Sequence, residues 1–137
     1  MARLQIVAVA HRLPAWAESA RDEYLGRMPR GYEVKLLQLK PRDAPKLREK
    51  IPGNLCLVAL DERGRDLTTR QFAALLGEPT VFVIGGTDGL DAAIKEQAAL
   101  LLRLSALTLP HALAQVVLCE QLYRAAMLLT GHPYHRE

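Results

Sequence analysis

The sequence predicts an α/β fold: a mostly parallel sheet covered by helices on both faces. Three observations predict it. Apolar, β-favouring runs alternate with helix-period patterns along the whole chain. The 137 residues suit one domain, since domains commonly run ~100–200 residues. Half the residues are hydrophobic and 24% are charged, the composition of a folded globular chain rather than a disordered one. A chain of this size buries roughly 68% of its unfolded surface and can build a core without disulfides or metal.

Leu4 to Ala10 reads as the first strand. Ala8-Val9-Ala10 mimics a signal-peptidase site, but the apolar run before it is too short for a secretory leader. A helix follows, with Pro14 in its first turn and Gly26 or Gly31 near its end. Tyr32 to Leu39 is the second strand. Pro41, Pro45 and Pro52 bracket a short basic helix around Lys46–Lys50. Leu55 to Leu60 is the third strand, and Asp61-Glu62-Arg63-Gly64 reads as the turn that closes it. Thr68 or Thr69 caps a helix running to Leu76. Thr80 to Ile84 is a β-branched and aromatic fourth strand. The loop Gly85 to Gly89 opens a helix from Asp91 to about Ala99. Leu101 to Ser105 reads as the fifth strand, Ala106 to Pro110 as an apolar loop, and Ala112 to Thr130 as the last helix.

In open α/β sheets, ligands sit beyond the carboxyl ends of the strands. Three loops qualify here, after Leu60, after Ile84 and after Ser105, so they are expected to converge on one pocket. The last helix is apolar around much of its circumference, with Gln115, Glu120, Gln121 and Arg124 as its main polar positions. A surface helix of a monomer shows one apolar stripe. This helix is therefore either central in the monomer or partly covered by a second subunit, and a homodimer is expected.

Charge and cysteine content narrow the function classes. The net charge is +3, and the excess is uneven: residues 27–50 hold eight Lys and Arg against three Asp and Glu. Such a segment docks on phosphates or forms a solvated face. Aromatic residues are only 5%, which argues against a base-stacking sheet platform. No uninterrupted apolar run approaches the ~18–20 residues of a membrane span. Cys56 and Cys119 lie in apolar stretches without a CxxC pattern and read as reduced core thiols of a cytoplasmic protein.

Gly85-Gly86-Thr87-Asp88-Gly89-Leu90 is neither GxGxxG nor a P-loop. Adjacent glycines let a ligand approach the backbone, and Asp88 or Asp91 can cap the next helix; a plain tight turn is the alternative. In Leu104 to Pro110, backbone groups can bond an adenine edge while leucines sandwich the ring; a buried strand and its exit is the alternative, and the one the residues alone favour. Glu120 and Arg124 stand four apart in the favourable order. The tail from Gly131 to Glu137 is dense in hydrogen-bonding groups, but His132 and His135 lack the partners of a zinc site, and no metal is expected.

These strings together resemble one family. Phe82-Val83-Ile84-Gly85-Gly86 with Gly89-Leu90, then Leu104 to His111, then Glu120 to Ala125, then His132 to Glu137, are similar to the ribosomal large subunit methyltransferase H family. Ile6 to Val9 with Pro14 and Trp16, and Leu60-Asp61 with Arg63-Gly64, add to the likeness, which spans essentially the whole chain. The resemblance implies a SPOUT-type parallel sheet with a C-terminal trefoil knot, one domain over residues 1–137 and an obligate homodimer. A knot is something physical reasoning alone would not suggest. It implies methyl transfer from S-adenosylmethionine to ring nitrogen 3 of a pseudouridine in 23S large-subunit ribosomal RNA, on assembled ribosomes. The family's cofactor contacts fall on Leu60, Gly85 with Gly86, Leu104, Ser105, Ala106, Leu107, Thr108 and Leu109. RNA-binding positions fall on His111, Glu120 and Arg124. Catalytic positions fall on Tyr134, His135 and Arg136. The density of hydrogen-bonding groups in the tail suggests the roles: His135 as proton acceptor, Tyr134 positioning, and Arg136 or Arg124 stabilising negative charge. Residues 40–55 form a shorter stretch than in most members. A non-catalytic ribosome-binding assembly factor and a SPOUT methyltransferase acting on transfer RNA are the alternatives; a Rossmann-type nucleotide enzyme is disfavoured because its glycine fingerprint is missing.

Overall fold

A computed structural model describes the backbone of residues 3–136 and the side chains of residues 3–134. Five strands form one all-parallel sheet: β1 (Leu4–Val9), β2 (Val34–Leu39), β3 (Cys56–Asp66), β4 (Thr80–Ile84) and β5 (Leu100–Arg103). Their order is β2-β1-β4-β3-β5. The helices are α1 (Ala15–Gly26), α2 (Leu47–Lys50), α3 (Thr69–Leu75), α4 (Ala92–Gln97) and α5 (His111–Leu129), with 3₁₀ turns at Pro41–Lys46 and Pro133–Arg136.

β1 and β4 are buried at every residue, which explains why they read as continuous apolar runs rather than as alternations. Two cores follow from this. One holds Leu4, Ile6, Phe82 and Val58 against Phe72 of α3, Leu76 at its carboxyl end, and Leu118, Leu122 and Ala126 of α5. The other holds Val7, Val9, Val81 and Val83 against Leu47 of α2 and Ile94 of α4. Helices therefore cover both faces, as the alternation predicts. Thr68 caps α3 with a reciprocal Thr68–Gln71 box, and Asp91, not Asp88, caps α4 by accepting from the Ile94 amide at 2.9 Å.

The largest boundary difference from the sequence reading lies at the end of β3. Asp61–Gly64 does not end β3. The strand continues to Asp66, and its pairing with β5 shifts between Leu60 and Arg65, which both face Leu102. Residues 61–64 bulge out of the ladder and the chain returns to it. Gly64 makes the return possible: a Cβ there would stand 2.6 Å from the carbonyl carbon and oxygen of Leu101. Arg103 then clamps the strand end by a fork to both oxygens of Asp66, at 2.7 and 2.5 Å. β5 itself is shorter than expected, so Leu104 and Ser105 join the loop.

α5 is central in the monomer. Gln115, Leu118, Cys119, Leu122, Ala125, Ala126 and Met127 form its buried stripe, flanked by α1 and α3. By length and composition it is also long and apolar enough to cross a membrane, the only such helix among the described residues; core helices pass the same test. Leu113, Val116, Val117 and Leu128 stay half-covered and Leu129 is exposed. Both cysteines are free, and burial pushes the Cys119 thiol up to about 12.

Candidate active site

The carboxyl ends of β1, β3, β4 and β5 open onto two adjoining clefts. The smaller, about 380 Å³, lies between the bulge after Leu60 and the loop Leu104–Leu109, with Ile84 and Leu102 also on its wall. The larger, about 840 Å³, runs from the same bulge past Gly85–Leu90 to residues 9–14 and to His111 at the start of α5. Leu60, Ile84 and Leu109 line both. The three loops picked out in the sequence do converge, because parallel strands all discharge at one edge of the sheet.

The glycine loop is a tight turn. The Gly89 amide donates to the Gly86 carbonyl at 2.9 Å, and Gly89 takes a φ of 74°, where a side chain is strained. Gly85 sits under that turn, so close that a Cβ would lie 2.6 Å from the Gly89 carbonyl carbon. In the opposite loop, Ser105 Oγ accepts from the Leu107 amide at 2.9 Å, and Leu107 is 78% exposed at the lip of the cleft.

Asp61 is the charged group built most firmly into the cleft wall. Its Oδ2 lies 2.8 Å from Lys95 Nζ of α4, and its Oδ1 accepts from the Arg63 amide at 2.8 Å. Lys95, then the Arg63 amide, hold the carboxyl below the usual carboxylate range against the opposing effect of burial. A carboxyl lowered in the folded state stabilises above its unfolded value and loses that contribution as pH falls through the lowered one. Lys95→Met is therefore expected to cost ~1–3 kcal/mol at neutral pH. That cost should shrink as pH falls through the lowered value and Asp61 takes up its proton. Urea unfolding of both chains, followed from pH 7 downward through the acid range, checks this; a cost that stays the same throughout would contradict it.

His111 stands half-buried in the wall of the larger cleft. Its Nε2 lies 2.9 Å from Gln115 Nε2, which can only donate, so the imidazole accepts there and carries its proton on Nδ1. Burial lowers its pKa, opposed by the Gly85 backbone, and keeps the ring neutral. Behind it runs a buried polar network. Arg21 Nη1 donates to Gln38 Oε1 at 3.1 Å and to Gln115 Oε1 at 3.5 Å, and Arg21 Nε bonds Asp22 at 2.9 Å. Gln38 Nε2 donates to the His11 carbonyl at 3.1 Å. The sequence reading missed Arg21, Gln38, Lys95 and Asp61 as site-building residues. A Gln four positions after His111, on an otherwise apolar helix, is the one local signal of that network; Asp61 and Lys95, far apart in sequence, leave none.

Among the described residues, no part of the tail lines these clefts. Tyr134 folds back on α5, where its hydroxyl donates to Glu120 Oε2 at 2.9 Å and its ring packs on Tyr123 with centroids 4.7 Å apart. Arg124 donates to the same Glu120 oxygen through Nε and Nη2, and its guanidinium lies 4.9 Å from the Tyr134 ring centre. Burial, then Glu120, push the Tyr134 phenol well above its ordinary range, so it stays protonated. Gly131, with a φ of 78°, makes the fold-back, and the His132 amide caps Met127 at 2.8 Å. Glu120, Arg124 and Tyr134 thus form one cluster, while His111 belongs to the cleft ~13–20 Å along α5. The side chains of His135 and Arg136 lie outside the described residues.

A family model described as "Predicted SPOUT methyltransferase" matches residues 2–135. The chain belongs to the SPOUT methyltransferase family. Among its curated relatives is the ribosomal RNA large subunit methyltransferase H of Polynucleobacter asymbioticus, 46% identical over 146 aligned positions that cover 98% of this chain and 99% of the relative. The aligned stretch exceeds the 137 residues of this SPOUT chain, so the relative carries residues that this chain lacks. Solved structures share the fold at low identity. A probable methylase family protein from Haemophilus influenzae aligns with a TM-score of 0.64 at 14% identity, covering 97% of this chain and 70% of that one. The SpoU methyltransferase AviRb from Streptomyces viridochromogenes, solved in complex with AdoMet, aligns with a TM-score of 0.53 at 15% identity, covering 90% of this chain and 58% of its own. The α/β sheet of this SPOUT methyltransferase is thus the fold that the sequence predicts.

Proposed function

We propose that this single-domain SPOUT methyltransferase acts in the cytoplasm on 23S large-subunit ribosomal RNA, with S-adenosylmethionine as methyl donor and ring nitrogen 3 of a pseudouridine as acceptor. The reading rests on one observation above the others. In a chain of this family, the backbone-rich loops Gly85–Gly89 and Leu104–Leu109 and the end of β3 at Leu60 meet around adjoining clefts. Its near-full-length likeness to a large-subunit ribosomal RNA methyltransferase supports the substrate class.

The residues present suit the donor. Leu60, Leu104, Leu107 and Leu109 offer apolar walls for a flat adenine, and Leu104–Leu109 lies outside regular structure, leaving backbone groups to bond its edge. At the next wall, the missing side chain of Gly85 lets the Gly86–Gly89 turn close tightly beside the larger cleft. When bound, S-adenosylmethionine supplies an electrophilic methyl group on a sulfonium. The chain's own part is to align, because an in-line displacement needs orientation more than covalent help. The attacking ring nitrogen gives up its proton as it bonds to carbon. His135 takes that proton in this proposal, and Arg136 or Arg124 stabilises the charge that develops on the base's carbonyls. A phenol held protonated by Glu120 suits Tyr134 to positioning rather than to proton transfer.

The tail cluster sits away from the clefts of its own chain, so the proposal includes a homodimer in which one subunit's tail completes its partner's pocket. The half-covered apolar positions of α5 supply a surface for that contact. The knot that the family resemblance implies is carried with the same proposal. Gly85→Ala is expected to weaken S-adenosylmethionine binding at least ~10-fold by calorimetry, because a Cβ 2.6 Å from the Gly89 backbone forces the turn open. Nucleoside mass spectrometry of 23S ribosomal RNA from treated ribosomes tests the acceptor. N3-methylpseudouridine supports the reading; a methyl on ribose or on another base position overturns it.

A further inference from the structure

We propose that the β2-side rim of the larger cleft is an RNA-binding ledge, in which the Trp16 indole stacks on an unpaired base while Arg12, Lys40 and Arg42 contact the neighbouring phosphates. The inference rests on the reading of the substrate as RNA and adds where, outside the reaction centre, that RNA is held. Trp16 is the chain's single tryptophan and is 58% exposed. A side chain of that area is normally well buried. It follows Pro14, the last of the residues 9–14 that line the larger cleft, by two positions. Among the described residues, it alone of the exposed large apolar side chains has a face on which a base can stack.

The cations are brought to the same rim by strand pairing. β1 and β2 run parallel and end together, with the Ala10 amide on the Leu39 carbonyl at 3.0 Å and Gln38 on the His11 carbonyl at 3.1 Å. The chain leaving β2 at Lys40-Pro41-Arg42 therefore emerges beside the loop that carries His11 and Arg12. Pro41 itself lines the cleft. The Arg12 and Arg42 side chains are 89% and 77% exposed, and their carboxylate partners Glu18 and Asp43 stand off at 3.8 and 3.9 Å. Such long surface pairs hold a guanidinium weakly and leave it able to turn to a phosphate. Arg12, Lys40, Arg42 and Lys46 against Glu18 and Asp43 leave a local excess of positive charge. The basic segment 27–50, which the clefts otherwise do not use, acquires a role at its carboxyl-terminal part.

Two measurements test the ledge. Trp16→Ala is expected to raise the KM for ribosomes lacking the modification by about 5- to 100-fold, with kcat and S-adenosylmethionine affinity changed less than about two-fold. Trp16→Phe should keep most of the lost affinity. The lone tryptophan also makes fluorescence specific to this position. Polyuridylate should quench it in the wild-type chain, and the combined Arg12→Ala, Lys40→Ala and Arg42→Ala variant should need more polyuridylate and show a flatter salt dependence. An unchanged ribosome KM in Trp16→Ala, with the wild type active, overturns the ledge and leaves the methyltransferase reading standing. A wild-type chain that methylates no ribosome sinks the substrate reading instead; quenching by polyuridylate then upholds the ledge, and its absence overturns it. A Trp16→Ala chain that sediments as a monomer where the wild type is a dimer would put the indole in a subunit contact, and the ledge would fall.

Discussion

Deleting residues 132–137 is expected to lower methyl transfer to ribosomes by at least ~10²-fold while S-adenosylmethionine still binds, because the deletion removes the proposed proton acceptor and anion-stabilising group together. The donor-binding loops lie elsewhere, at Leu60, Gly85–Gly86 and Leu104–Leu109. The fold should survive. The described part of the tail contributes the contacts of the Tyr134 ring with Tyr123 and Arg124, its hydrogen bond to Glu120 and the His132 amide on the Met127 carbonyl, together ~2–4 kcal/mol. His135→Ala isolates the proton acceptor without touching that packing. Mixing makes the test sharper: the truncated chain keeps its clefts, and a Gly85→Ala chain keeps its tail. If the tail works across the dimer, mixed dimers at limiting S-adenosylmethionine exceed the summed activity of the two chains alone. Full activity in a truncated, folded dimer would remove the tail from the machinery.

Gly64→Ala is the substitution expected to harm stability most. Its Cβ would stand 2.6 Å from the Leu101 carbonyl carbon and oxygen and 2.7 Å from that of Leu102. These are backbone atoms of β5, and Leu102 is anchored in the core, so neither side yields cheaply. The expected loss is ~3 kcal/mol, a fall in Tm of about 10 °C for a chain of this length. Donor binding should weaken as well, since Leu60 and Leu102 line the smaller cleft. Gly53→Ala is the control, because nothing stands within 4 Å of its Cβ. Thermal unfolding of the two variants together checks the claim; equal melting temperatures would contradict it.

The strands and their loops are legible in the sequence because buried parallel strands are continuous apolar runs and Gly or Pro marks their ends. That is why the loops after Leu60, after Ile84 and after Ser105 are legible in the sequence as neighbours, and they line adjoining clefts. The bulge at Asp61–Gly64 is a different matter. Its local composition is that of a turn, and only the close pass beneath β5 turns it back into strand. The Asp61–Lys95 pair joins a strand to a helix far along the chain and has no periodic trace. The Glu120–Arg124 pair is visible as an i,i+4 spacing, whereas its capture of Tyr134 depends on the Gly131 reversal. The separation of that cluster from the clefts is a property of the folded chain alone, and it is what makes a second subunit part of the proposal.

Methyl incorporation from labelled S-adenosylmethionine into three substrates tests the central claim most directly: assembled ribosomes lacking the modification, free large-subunit ribosomal RNA, and transfer RNA. Label confined to the ribosomes is the predicted result. Label in transfer RNA would keep the fold and the donor but overturn the substrate, and no label in any of the three, from a folded dimer, would contradict the enzyme reading in favour of a ribosome-binding factor without chemistry.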